Sequence, residues 1–431
     1  MNDLDDLRIR TEDLRLDEIR AYFVETTRDR RIVDSLKAPN PVILEGSRGT
    51  GKSFLLRVAE GELLDTLTND RVLPVYLSFA KSSLIHTCDA QQFHHWMLAK
   101  LSSRIIRTLY KTGQLINSPK GLSILAAGPV SFAGVQTQID AISKTYEESY
   151  KSPGTIVSNE GIPSVDTLKE ALEDICEDLD IRRVALFIDE AAHIFRPEQQ
   201  RQFFTLFRDL RSPHISCNAA VYPGVTAYGP TFQVAHDATV LEINRNVHDE
   251  DYRESMWDIV AKQADSELLA TIERQRENFF ALAYAVSGNP RLLLKTVGRA
   301  RRMNTQQVTS VLKDFYRTEI WSEHSGLADT YAGHRDLVDW GRRFIEESVI
   351  PDTRSKNHQW VSEGRKEATC YFWIHRDAPE AVKEALRLLS YTGIVVKGDT
   401  GIVATRGEIG TRYALNLGCL TAGDAKPRTD V

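Results

Sequence analysis

The segment Gly46-Ser47-Arg48-Gly49-Thr50-Gly51-Lys52-Ser53 places glycine, lysine and serine at the spacing Gly-x-x-x-x-Gly-Lys-Ser. That spacing suits the binding of a chain of phosphates. Glycines let the backbone turn tightly and aim successive N–H groups at a polyanion. A helix that starts at Lys52 sets the positive end of its dipole beneath the phosphates. Lys52 is the residue expected to reach the β- and γ-phosphates, and the Ser53 hydroxyl to ligate Mg2+. A second stretch, Val184-Ala185-Leu186-Phe187-Ile188-Asp189-Glu190, ends an apolar run in two carboxylates. In this chemistry Asp189 serves the metal and Glu190 a water. Each stretch has a plain alternative: a chance glycine turn, and a buried strand that ends in solvated acids. Their occurrence together in an α/β pattern predicts an ATPase or GTPase. The phosphate loop touches phosphates only, but no guanine-selecting Asn-Lys-x-Asp is present, so ATP and ADP are the expected ligands.

Stepping outward, Val42-Ile43-Leu44 reads as the strand that leads into the loop, and Phe54 to Ala59 as the start of the helix that leaves it. Residues 72–79 and 215–222 read as further strands, with another from Ala238 to Ile243. Helices are expected at 92–112, where Phe93, Trp96, Met97, Leu101, Ile105 and Leu109 share a face, and at 165–178 behind the cap Ser164. Apolar strands alternating with helices imply a parallel sheet covered on both faces. The predicted fold class is therefore α/β: a P-loop NTPase parallel sheet with helices on both faces, then an all-α lid and a C-terminal winged-helix-like domain. The expected boundaries are an N-terminal helical lead-in at 1–40, the ATPase core at 41–248, the lid at 249–323, the winged-helix-like domain at 335–421 and a disordered tail at 422–431. An insertion at about 114–164 interrupts the core and reads either as a self- or partner-contact hairpin or as a flexible segment. Residues 324–334 read as a linker. Ile394 to Ala404 reads as a β-hairpin turning at Gly398-Asp399-Thr400-Gly401.

Within the lid, Gly288-Asn289-Pro290-Arg291 puts a guanidinium at a helix start. The helix dipole disfavours a cation there, and an external anion would resolve the conflict.

The 431 residues suffice for two or three domains. A net charge of −6 argues against a surface that coats nucleic acid generally, while leaving room for a local basic patch. Five scattered cysteines with no Cys-x-x-Cys predict reduced thiols and a cytoplasmic protein. The acidic start predicts no signal or transit peptide. The weakly polar stretch from Gly121 to Val135 is too short to span a bilayer, so no membrane partner is expected. His86, His94 and His95 lack an acid or cysteine at matching spacing and read as structural.

The order of phosphate loop, Asp189-Glu190, helical lid with Gly-Asn-Pro-Arg and a final wing resembles AAA+ ATPases of the origin-recognition-complex type, together with their bacterial relatives in the STAND clade. The resemblance spans roughly residues 30–415. It implies that Gly46, Ser47, Arg48, Gly49, Thr50, Gly51, Lys52 and Ser53 cradle the phosphates. Ser53 and Asp189 would hold Mg2+, Glu190 would activate water, and Arg291 would act as the lid arginine that reaches the γ-phosphate. Such proteins carry a polar sensor at the end of the strand at 215–222. Asn218 falls too early for it, and Thr226 is the remaining guess. Between Arg211 and Arg245 the chain has no arginine or lysine. The usual place of an arginine finger is therefore vacant; Arg208, Arg211 and Arg245 are left as candidates, and Arg48 within the phosphate loop is available in cis.

Three readings follow. The first is a nucleotide-operated switch that controls assembly as a homo-oligomer or acts on a protein effector, with bacterial antiviral defence as a fold-level analogy. The second is a DNA-binding origin-recognition-like ATPase, whose contact with duplex DNA would come from Arg291, Lys295, Arg299, Arg301 and Arg302 and, in the wing, Lys397 and Arg406. The third is a non-hydrolysing nucleotide-bound scaffold.

Overall fold

The computed structural model describes residues 7–430 apart from 86–90, 116–117, 131–136, 155, 192–195, 331–332, 366, 404–406 and 425. Its centre is a five-stranded, fully parallel sheet. The strands are β1 (Val42–Glu45), β2 (Val72–Ser78), β3 (Arg183–Asp189), β4 (Ile215–Val221) and β5 (Thr239–Glu242), in the order β2-β3-β4-β1-β5. β4 thus separates the strand that leads into the phosphate loop from the strand that ends in Asp189. Side chains alternate across the sheet as the period of two requires. Val42 and Leu44 face the helices Thr27–Lys37 and Lys52–Asp65, while Ile43 faces the core built with Gln92–Lys111, Val165–Asp178 and Pro197–Asp209. Pro74 is tolerated because β2 is an edge strand, where a missing N–H breaks no ladder bond.

The helix Gln92–Lys111 buries the six residues expected of it, each contributing roughly 1.5–3 kcal/mol of transfer free energy. The insertion is neither a projecting hairpin nor a loose segment in its described parts. Leu122, Leu125, Ile139 and Tyr146 join the main core. Glu147 is held by Lys81 and Lys100, and Asp140 by Ser103 and Arg107.

The lid helices run from Tyr252–Ala261 to Thr305–Asp314. The C-terminal region contains helices Arg335–Arg343, Ile350–Ser362 and Glu380–Thr392. Its antiparallel sheet comprises β6 (Tyr371–His375), β7 (Val395–Val403) and β8 (Ile409–Leu415), in the order β6-β8-β7. Three expectations change here. The linker at 324–334 is mostly helix, within Trp321–Thr330, because His324 and Leu327 are buried. The hairpin at Gly398–Gly401 is a bulged stretch inside β7, whose partner is β8. Turn-forming glycines there serve a strand irregularity instead of a reversal. The tail from 422 is packed: Ala422 is buried, Arg354 pairs with Asp424 and Arg428 donates to Asn278 Oδ1. The lead-in is two helices, Leu16–Ala21 and Thr27–Lys37, because Thr26 caps the second.

One hydrophobic cluster joins lid residues such as Leu293 and Phe315 to Leu386, Leu389, Tyr413 and Leu415 of the C-terminal region. The two are therefore packed as one body. His324 lies at this joint with no solvent exposure, its Nδ1 3.3 Å from Thr392 Oγ1. Burial pushes its imidazole down to about 4. The unfolded chain takes up the proton first, near pH 6.5, so the stabilisation is complete above that pH and is lost as pH falls towards 4. The loss is at most about 3 kcal/mol. Urea melts at pH 7 and pH 4.5 should show it for the native chain and a smaller acid loss for His324→Gln; equal losses would assign the effect elsewhere.

No described helix is long and apolar enough to cross a membrane. Cys176, Cys217, Cys370 and Cys419 are free thiols, and Cys88 and His86 lie outside the described residues.

Candidate functional site

The phosphate loop bridges β1 and the helix Lys52–Asp65. Gly49 and Gly51 adopt φ of 87° and 102°, which side chains resist. At Gly49 there is also no room, since an added Cβ would lie 2.7 Å from Asn289 Oδ1 and 3.0 Å from Arg291 Cβ. The lid motif thus rests directly on the loop. Asn289 caps the helix Pro290–Arg299 and donates from Nδ2 to the Arg48 carbonyl at 2.8 Å, while the Arg291 amide donates to the Gly49 carbonyl at 3.3 Å. Lys52 is buried, and its Nζ donates to the carbonyls of Gly46 (2.5 Å) and Ser47 (3.0 Å). The same Nζ stands 3.9 Å from the ring centroid of Tyr222. Burial pushes this ammonium down to about 7, with Asp189 opposing the shift.

The two carboxylates are held from the neighbouring strand. Register sets Ser78 beside Asp189. Asp189 Oδ2 accepts from Tyr76 OH at 2.7 Å, and Glu190 Oε2 accepts from Ser78 Oγ at 2.8 Å. Glu190 lies in the left-handed region, φ 56°, with its amide donating to Asp189 Oδ1 at 2.9 Å. This turn aims the two acids differently: Asp189 stays buried and Glu190 reaches the cavity. Burial, Asp189 and its hydrogen bond all raise the Tyr76 phenol, which keeps it a donor.

Lys52, Ser53, Glu190 and Arg291 line one cavity of about 340 Å3 between the sheet domain, the lid and the N-terminal segment. That segment supplies the apolar Ile9, Leu14, Tyr22, Phe23 and Val24 together with the polar Arg8, Arg10, Thr11, Glu12 and Asp13. Leu7 and Val24 pack into the lid cluster, and the Arg8 amide donates to Gln263 Oε1, so the segment ties the core to the lid. Arg28 donates to the Glu242 and Asn244 carbonyls and anchors it to the end of β5.

The residues fit a nucleoside triphosphate. Arg291 Nε is buried on the cavity wall without a hydrogen-bond partner, which leaves this donor available to an anion. They also fit Mg2+ of the type that is held largely by phosphate and water. No group of three or more His, Cys, Asp or Glu side chains among the described residues could hold a metal by itself; Ser53 lies on the cavity wall and the Asp189 carboxylate is buried next to Glu190, and both are oxygen donors of the kind Mg2+ takes.

A family model described as ORC-CDC6-like matches residues 8–280. The chain belongs to the ORC-CDC6-like family. The match covers the sheet domain and the first lid helices and stops before Asn289. Among curated proteins none matches the chain. Solved structures similar to it include the following three. A Walker-type ATPase of Pyrococcus abyssi has 14% identity, covering 99% of this chain and 98% of that one, at a TM-score of 0.48. The ORC1 protein of Aeropyrum pernix, in complex with DNA, has 15% identity over 99% and 95%, at 0.37. The ORC2 protein of the same organism, in ADPNP–ADP complexes, has 10% identity over 96% and 91%, at 0.36.

In this ORC-CDC6-like chain the end of β4 carries Tyr222, at the place where a polar sensor was expected. Asn218 is buried and donates to the Leu36 carbonyl, and the Thr226 hydroxyl donates back to Tyr222 O. Among the finger candidates, Arg208 pairs with Asp209 and Arg245 with the buried Asp29 on the cavity wall. The proposed DNA cluster does not form one basic face. Arg291 lines the cavity, Lys295 sits among Glu319 and Glu323, Arg299 pairs with Glu319 and Arg301 pairs with Asp265. Arg302 is exposed. Arg406 lies outside the described residues. Sequence reasoning missed Tyr76, Ser78, Tyr222 and Asn289 as parts of the site. Only the Gly-Asn-Pro-Arg motif carried a signal for any of them.

Proposed function

We propose that the chain is an ATP-binding and ATP-hydrolysing switch in which lid and C-terminal region respond together to nucleotide. One observation carries the reading: Lys52, Ser53, Glu190 and Arg291, from separate stretches, converge on the same cavity. In it the amides of the loop and Lys52 would bind the β- and γ-phosphates, Ser53 and Asp189 would hold Mg2+, and Arg291 would meet the γ-phosphate from the lid. Mg2+ supplies neutralisation of phosphate charge. Glu190 takes a proton from the attacking water, and Ser78 fixes its orientation. Because Arg291 belongs to the lid and the lid shares its core with the C-terminal region, loss of the γ-phosphate loosens that body. The output is assembly of like chains or control of a protein effector.

ATP hydrolysis and particle mass measured together test this. Weak basal turnover and a larger particle with ATP are expected; one mass in every nucleotide state would remove the assembly role. Family membership favours a second reading, a DNA-binding ATPase. It predicts turnover that rises with duplex DNA, and DNA binding that weakens steeply with salt.

A further inference from the structure

The phosphate loop is also gripped on its outer shoulder, by the C-terminal region. Ser47 Oγ donates to the Ser390 carbonyl at 3.2 Å, and the Arg48 amide donates to the Tyr391 carbonyl at 3.5 Å. Arg48 Nη1 pairs with Glu323 Oε1 at 2.7 Å. Tyr391 is 2% exposed and meets Tyr222 edge-on, with ring centroids 4.9 Å apart and planes at 70°. These two rings, with Leu327, Val338 and Leu388, form a small core of their own that joins the end of β4 to the helices Trp321–Thr330, Arg335–Arg343 and Glu380–Thr392. Tyr222 in turn presents its ring face to Lys52 Nζ.

We propose that Tyr222 and Tyr391 are positioning residues for the phosphate-loop lysine, and that through them the C-terminal region sets nucleotide affinity. This role presupposes that the cavity binds nucleotide as proposed above. An aromatic face attracts an ammonium and leaves its direction free, so the ring holds Nζ while it exchanges the Gly46 and Ser47 carbonyls for phosphate oxygens. Tyr391 fixes the ring plane from behind. Since coupling between two sites is reciprocal, nucleotide must also change the stability of the Ser390–Tyr391 contact.

The test uses the full chain, titrated with ADP and with ATP plus Mg2+, and thermal melts of each variant. Tyr222→Phe and Tyr391→Phe keep the rings and should bind within about twofold of the native chain. Tyr222→Leu should weaken both nucleotides by about 5–30-fold, the range that a partly buried cation–π contact spans. Tyr391→Ala should weaken them by about 3–10-fold although it lies behind the wall. Should Tyr391→Ala unfold, Tyr391→Leu keeps the volume without the ring and carries the same expectation. Hydrogen exchange across residues 386–394 should respond to nucleotide in the native chain and not in the Tyr391 variants that lack the ring. Folded variants with native affinity, or Phe variants as weak as Leu, overturn the proposal. A native chain that binds neither nucleotide overturns the site reading itself, a different and recognisable result.

Discussion

Replacing Glu190 with glutamine is expected to lower ATP turnover by about 10²–10⁴-fold while leaving nucleotide binding intact, the range spanned by loss of a general base. The amide keeps the volume of the carboxylate, and its oxygen can still accept from Ser78 Oγ. What disappears is the charge that draws the proton from water. Phosphate binding survives because it depends on the loop amides, Lys52 and Arg291. The variant should therefore retain ATP through gel filtration where the native chain releases ADP. Single-turnover phosphate release measures the rate directly, and an unchanged rate would show that the water is activated elsewhere.

Lys52→Ala should weaken ADP and ATP by about 100-fold or more, since each charge-assisted hydrogen bond to phosphate is worth about 1.5–3 kcal/mol. The lysine is buried, stacked on Tyr222 and bonded to two loop carbonyls. Removing it also removes a desolvated cation, so the melting temperature should change far less than the affinity. Calorimetric titration with ADP and Mg2+ alongside thermal melts separates the two. Native affinity in a folded Lys52→Ala chain would place the phosphates outside this loop.

These two residues were legible because their chemistry is local. The loop spacing and the apolar run ending in Asp189-Glu190 are contiguous, and the parallel sheet follows from strands and helices that alternate within short windows. Even the conflict of Arg291 with its helix dipole was visible, and the structure sets that guanidinium on the cavity wall. The misreadings share a cause. Gly398 and Gly401 have turn chemistry, but a bulge needs the same residues, and only pairing with β8 distinguishes the two. His324 and its neighbours look like a polar linker until the helix Glu380–Thr392 covers them. Lys295, Arg299 and Arg301 read as a basic patch because the acidic groups beside them are distant in sequence.

The sequence by itself determined the phosphate-loop motif, the α/β core and the helical lid, because each is written in adjacent residues or in a regular period. The tertiary structure decided which side chains hold that chemistry in place. Tyr76 and Ser78 reach the carboxylates through strand register, Asn289 reaches the loop through lid packing, and Tyr391 reaches Tyr222 from 169 positions away. No pattern within either segment encodes such a meeting. It arises when the lid and C-terminal region bury a common apolar surface, and the cost of leaving their polar groups unpaired then selects the partners.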